Sequence, residues 1–198
     1  MKIIVIGAEG DVGKSVCKAL ARHDLIHAGR NSGDIRVDIS DRASIEAMYK
    51  TVGRVDAVVS AAGSVHFAPL KDFTEDQMML GLRNKVMGQI NLVLAGMDHV
   101  ADGGSFTLTS GVLNRDPILQ GTGAAVANGA LDGFVRSAAN EMPRGLRVNV
   151  VSPGMLDTSA GRYGDWFAGH VPVPSERVGL AYRKSVEGAL TGNVFIVE

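Results

Sequence analysis

The 198-residue chain has one cysteine, Cys17, so no internal disulfide can staple it, and a reducing cytoplasm is the expected setting. Cys and His nowhere cluster with metal-ligand spacing, and no metal site is expected. Charge of one sign is also lacking. Lys and Arg number 20 against 21 Asp and Glu, a net charge of −1, which leaves no basic footprint for nucleic acid or an anionic membrane surface. Long hydrophobic runs are missing too. The apolar opening from Lys2 to Ile6 is broken by Gly7, well short of a membrane span or a secretory core segment, and reads as a buried strand. A small-molecule substrate is the expected partner, with neither nucleic acid nor membrane.

What is present is a regular alternation. Apolar runs of strand length recur at Lys2–Ile6, Asp24–Ala28, Ile35–Asp38, Ala57–Ser60, Ser105–Thr109, Arg147–Val151 and Val194–Val197. Between most of them lie stretches with helical spacing: Val12–Arg22, Ser40–Val52, Thr74–Val100, Gly123–Met142 and Val178–Leu190. Strands alternating with helices imply right-handed crossovers and a parallel sheet. The continuous apolar character of Ile3–Ile6 and Ala57–Val59, and of Val148–Val151 apart from Asn149, suits strands covered on both faces. The spacing therefore predicts an α/β doubly wound fold of about seven parallel strands, one domain over residues 1–198. Too few residues separate Arg30 from Ile35 for a crossover helix, so the third strand is expected to be short and at a sheet edge.

Gly7-Ala8-Glu9-Gly10-Asp11-Val12-Gly13 follows the first strand and opens the first helix, the context a dinucleotide-binding turn requires. Glycines there let the backbone approach a pyrophosphate, and the helix N-terminus offers free N–H groups. Gly7, Glu9, Gly10, Asp11, Val12 and Gly13 are the expected contacts. An NAD-binding unit usually ends its second strand in a carboxylate for the ribose hydroxyls. Here the strand ends Ala28-Gly29-Arg30-Asn31-Ser32. Arg30, with Asn31 and Ser32 beside it, suits a 2′-phosphate, so NADP(H) is expected over NAD(H), although Asp34 lies close by.

These residues resemble the short-chain dehydrogenase/reductase family almost from end to end, which implies a Rossmann fold. Gly7, Gly10 and Gly13 look like its Gly-x-x-Gly-x-x-Gly turn. Asp38-Ile39 resembles the pair that holds the adenine by side chain and backbone. Ser60-Ala61-Ala62-Gly63 resembles the Asn-Ala-Gly turn beside the cofactor, with alanine in place of asparagine. Asn84 resembles the active-site asparagine whose backbone carbonyl holds a water, with the following glycine, Gly88, offset by one residue. Ser105–Gly111 resembles the fifth strand, with Ser110 as the catalytic serine. Asn149–Gly154 matches the sixth strand and its Pro-Gly turn, so Pro153, Gly154 and Thr158 are expected on the nicotinamide side.

The resemblance breaks at the family's Tyr-x-x-x-Lys, in which tyrosine is the acid or base and lysine lowers its pKa while holding the nicotinamide ribose. Ala124 stands where the tyrosine is expected and Asn128 where the lysine is expected. Tyr49, Tyr163 and Tyr182 are followed four residues on by Gly53, Phe167 and Val186, so no shift of register restores the pair. Asn128 can still reach a ribose hydroxyl as a neutral substitute. Proton donors that remain are Ser110, His66 and Tyr163. Tyr163 belongs to a short segment at about 155–175, with Trp166, Phe167 and His170, which in the family folds over substrate.

Two readings of function follow. One is an NADP(H)-dependent oxidoreductase acting on a small carbonyl or alcohol. The other is a non-catalytic NADP(H)-binding module, a redox sensor or partner protein. A third, weaker reading keeps only the fold, as an assembly scaffold. Small residues from Gly121 to Ala139 allow close helix packing, and the resemblance implies a homodimer or homotetramer built on the helices around Thr74–Val100 and Gly123–Met142.

Overall fold

A computed structural model describes residues 1–198. Its strands are β1 (Lys2–Ile6), β2 (Asp24–Gly29), β3 (Ile35–Arg36), β4 (Val55–Ser60), β5 (Val100–Thr109), β6 (Arg147–Pro153) and β7 (Val194–Val197). They form one parallel sheet in the order β3-β2-β1-β4-β5-β6-β7, the doubly wound Rossmann arrangement. The main helices are α1 (Asp11–Ala19), α2 (Arg42–Val52), α3 (Glu75–Gly81), α4 (Gly88–Gly96), α5 (Thr122–Ala138), α6 (Ala160–Tyr163) and α7 (Ser175–Glu187). No helix is long and apolar enough to cross a membrane.

Successive strand residues point to opposite faces, and the apolar runs therefore feed two cores. Ile4 and Ile6 pack with Ile45 and Tyr49 of α2, Leu92 of α4 and Leu131 of α5. Ile3 and Val5 pack on the other face with Val16 of α1, Leu20 at its C-terminal cap, and Val178 and Tyr182 of α7. Burial on both faces is what made the strands read as continuous apolar segments.

The short edge strand is present. The turn between β2 and β3 is bracketed by Asp34, whose N–H donates to the His27 carbonyl at 2.7 Å while its carboxylate accepts the His27 N–H at 2.9 Å. The long helix expected over Thr74–Val100 is divided. Thr74 and Gln77 form a reciprocal capping box at its start. The middle, Leu82–Met87, is then wound as a π-helix before α4 resumes. Such a stretch re-aims side chains and is frequent at functional sites. β5 begins at Val100 rather than Ser105 because Val100 pairs with Val55, followed by a register shift before Ala57 meets Ser105.

Candidate functional site

The site lies at the carboxyl ends of the strands, where the glycine turn, the turn after β4, the π-helical stretch and the end of β5 converge. Gly7 sits at φ +79°, and Gly10 donates its N–H to the Gly7 carbonyl at 3.1 Å. A Cβ on Gly13 would lie 2.0 Å from that same carbonyl oxygen, so helix and turn close together only with glycine there. Gly10 caps α1 without a side-chain hydrogen bond, which leaves the leading N–H groups to a ligand. The Asp11 carboxylate accepts from Ser159 Oγ at 2.8 Å and from Arg162, tying the segment after β6 to the glycine turn. Glu9 projects outward near His27.

One half of the site is a recess of about 180 Å³ walled by Gly7, Arg30, Asp38, Ile39, Ala62 and Gly63, with Asn84 at its edge. Asp38 accepts from Ser40 Oγ at 2.6 Å and Ser40 N–H at 2.9 Å. These bonds, with a smaller contribution from the Arg30 guanidinium, hold its carboxyl below the usual range. Asn31 and Ser32 are exposed on the following turn and do not wall the recess.

The other half is a cleft of about 350 Å³ that shares Ala62 and Gly63 with the first. Val12, Ala61, Pro153 and Gly154 also line it, and Met155, Tyr163 and Phe167 cover it from the segment after β6. Ser110 stands at the end of β5, 4% exposed, and its Oγ has no hydrogen-bond partner. Ala124 and Asn128 of α5 face it, both buried. Lys85 enters from the π-helical stretch. Its Nζ donates to the Ser110 carbonyl at 2.9 Å and to Asn128 Oδ1 at 2.6 Å. Burial draws this ammonium down to about 8, while the charge of Asp132, one turn along α5, pushes it partly back up.

Three expected site residues stand away from the Ser110 cleft. Asn84 turns from the Ser110 cleft and accepts the Ser64 N–H at 2.7 Å, pinning the turn after β4. His66 lies outside the cleft lining, its ring set edge-on against Phe73 with centroids 6.2 Å apart. Thr158 is exposed over a separate polar depression with Lys14 and Lys18, while its neighbour Ser159 takes the inward place, because a tight 3₁₀ turn at Asp157–Ser159 rotates the chain by one position. Sequence reading missed Lys85 altogether. Its signal was the one-residue offset of Gly88 from the family pattern.

Residues 3–169 match the family described as enoyl-(acyl carrier protein) reductase. The chain belongs to the short-chain dehydrogenase/reductase family. An uncharacterized oxidoreductase of Methylorubrum extorquens is 29% identical over 182 residues, covering 78% of this chain and 73% of the relative. The protein lin1944 from Listeria innocua superposes with a TM-score of 0.99 at 49% identity over the whole of both chains. A small-chain dehydrogenase solved in complex with NADPH gives a TM-score of 0.87 at 26% identity, covering 100% of this chain and 96% of that one. The seven-stranded sheet of this chain is thus the family's sheet.

Proposed function

We propose that the chain is an NADP(H)-dependent oxidoreductase that acts on a small carbonyl or alcohol. The observation that carries this reading is the paired cleft itself: a glycine cradle and uncapped helix start, an arginine at the end of β2, and a buried, unpartnered Ser110 hydroxyl at the opposite end. The residues fit a dinucleotide. The Gly7–Gly13 turn would hold the pyrophosphate, Arg30 the 2′-phosphate, Asp38 and Ile39 the adenine, and Ala61, Ala62, Gly63, Pro153 and Gly154 the nicotinamide end. Asp34, the carboxylate nearest in sequence, is engaged with the His27 backbone and leaves Arg30 free of it. The NADPH complex of the related small-chain dehydrogenase supports the same choice.

A bound nicotinamide dinucleotide supplies or accepts the hydride. The Ser110 hydroxyl donates a hydrogen bond to the substrate oxygen, since that group is buried and has no other partner. Asn128 and the Ser110 carbonyl orient a cation beside it. The segment at about 155–175 forms a lid whose Tyr163 and Phe167 shut out water. The outer faces of α4 and α5, where Leu94 and Val126 are exposed, serve self-association into a homodimer or homotetramer. The burial of Cys17 raises its thiol and suits a structural role in a reducing cytoplasm.

A second reading is favoured by Ala124. It is 3% exposed at the position the resemblance gives to the acid–base tyrosine and carries no proton, which suits a cofactor-binding module without turnover. Calorimetric titration with NADPH and with NADH tests the shared premise. Selectivity for NADPH that disappears in Arg30→Ala supports the cofactor site, and binding of neither overturns it. A carbonyl panel followed at the nicotinamide absorbance then separates enzyme from module.

A further inference from the structure

The cleft holds a lysine without an ion-pair partner. A buried cation is costly unless it is paired, and Lys85 has no carboxylate partner; its two bonds go to the neutral oxygens of Ser110 and Asn128. An ammonium has three N–H donors, and the third is unused. The surroundings are shaped to admit it. Gly63 lies at φ +138°, and a Cβ there would fall 2.8 Å from Lys85 Cγ and 3.0 Å from its Cα.

The register of the helix shows what Lys85 replaces. Gly88 is fixed by contact, because a Cβ on it would lie 3.0 Å from two Ile39 side-chain carbons and 3.1 Å from the Ile39 carbonyl oxygen. Anchoring the family pattern on this glycine removes the one-residue offset and places Lys85, not Asn84, at the asparagine position. Asn128 already occupies the lysine position on α5. The two helices have exchanged residues across the cleft, and the exchanged side chains touch at 2.6 Å.

We infer that Lys85 is the cofactor-facing cation of this site, holding the hydroxyl-bearing nicotinamide end of the dinucleotide beside Ser110, with Asn128 as the acceptor that orients it. The inference rests on the reading that this cleft takes NADP(H). Lys85 uses two donors to fix its own position and the third for the ligand. Asn128, held by its Oδ1, keeps its amide nitrogen against Gly111, where a Cβ would approach it to 3.1 Å.

The test is cofactor titration of the full chain, followed by quenching or calorimetry, in wild type, Lys85→Met, Lys85→Arg and the exchange variant K85N/N128K. Thermal melting checks that each is folded. Lys85→Met is expected to weaken NADPH binding roughly ten- to a hundredfold, the range of one charge-assisted hydrogen bond. The exchange variant is expected to recover most of that loss, because the cation returns from the facing helix. Reductive methylation of the wild type, read by peptide mass spectrometry, is expected to mark Lys85 in the free protein and to spare it in saturating NADP⁺. If folded Lys85→Met binds NADPH as tightly as wild type, or if Lys85 is methylated equally with and without NADP⁺ under conditions of proven binding, the inference is overturned and the cofactor reading stands. If wild type binds neither NADPH nor NADH, the cofactor reading fails and the inference falls with it.

Discussion

Lys85 Nζ lies 2.6 Å from Asn128 Oδ1, joining the π-helical stretch to α5 directly behind Ser110. The pair is the one place where the two helices flanking the cleft are linked through charge. One charged group acts on the ammonium, Asp132 from α5, and it forms no ion pair with it.

That arrangement makes folding stability depend on pH. The ordinary lysine value of 10.5 is drawn to about 8 in the folded chain. Between these values the unfolded chain binds more protons than the folded one, so stability rises with pH from about 8 to 10.5 and is lowest, on this account, below 8. The full difference is up to about 3 kcal/mol. Urea denaturation at pH 7, 9 and 10.5 is expected to show this rise in wild type and its loss in Lys85→Met. Parallel curves for the two proteins would show that the ammonium is solvated.

Ser110→Ala separates folding from chemistry. The Ser110 hydroxyl makes no hydrogen bond, so its removal is expected to leave the urea midpoint unchanged or slightly raised. NADPH affinity is expected to stay within about twofold. Turnover of any accepted carbonyl is expected to fall about a hundredfold or more, as for loss of a positioned donor to a reacting oxygen. A variant that loses stability and keeps its rate would show that Ser110 is a packing residue.

Much of the fold was legible because the chemistry is local. Strands buried on both faces are mostly apolar, so the runs at the centre of β1, β4 and β6 announce themselves, and the short link before Ile35 forces an edge strand. The start of β5 was not legible, since Asp102, Gly103 and Gly104 interrupt its apolar run and only pairing of Val100 with Val55 makes it a strand. Residue type points to Asn84 at the asparagine position, and only the register of Gly88 points to Lys85. Gly88 held the register, but its contact with Ile39 comes from a segment nearly 50 residues away and leaves no trace in the sequence. Thr158 and Ser159 were exchanged by one turn of 3₁₀ geometry, which no hydrophobic period reports.

Tyr49 offers a control remote from the cleft. It is fully buried, and burial pushes its phenol well above the usual range. Its hydroxyl donates to the Leu92 carbonyl at 2.7 Å, and the ring stacks on His99 with centroids 5.1 Å apart. Tyr49→Phe keeps the ring and removes one buried hydrogen bond, while the Leu92 carbonyl keeps its place in the α4 ladder, for an expected cost of about 0.5–1.5 kcal/mol in urea denaturation. NADPH affinity at a temperature where the variant is folded is expected to be unchanged. Loss of binding in this variant would mean that α2 and α4 set the geometry of the cleft.

The turn after β4 gives the sharpest structural test of the Lys85 position. Gly63→Ala puts a Cβ into a positive-φ position and 3.0 Å from the Lys85 Cα, a backbone-bound atom that cannot swing aside as a side-chain tip would. The expected cost is about 1–3 kcal/mol from strain and crowding together. Truncating the neighbour does not relieve it, so G63A/K85A is expected to be about as unstable relative to Lys85→Ala as Gly63→Ala is relative to wild type. Full rescue by Lys85→Ala would instead place the clash in the flexible stem alone, and would mean that the π-helical stretch can yield toward α5 without disturbing the cleft.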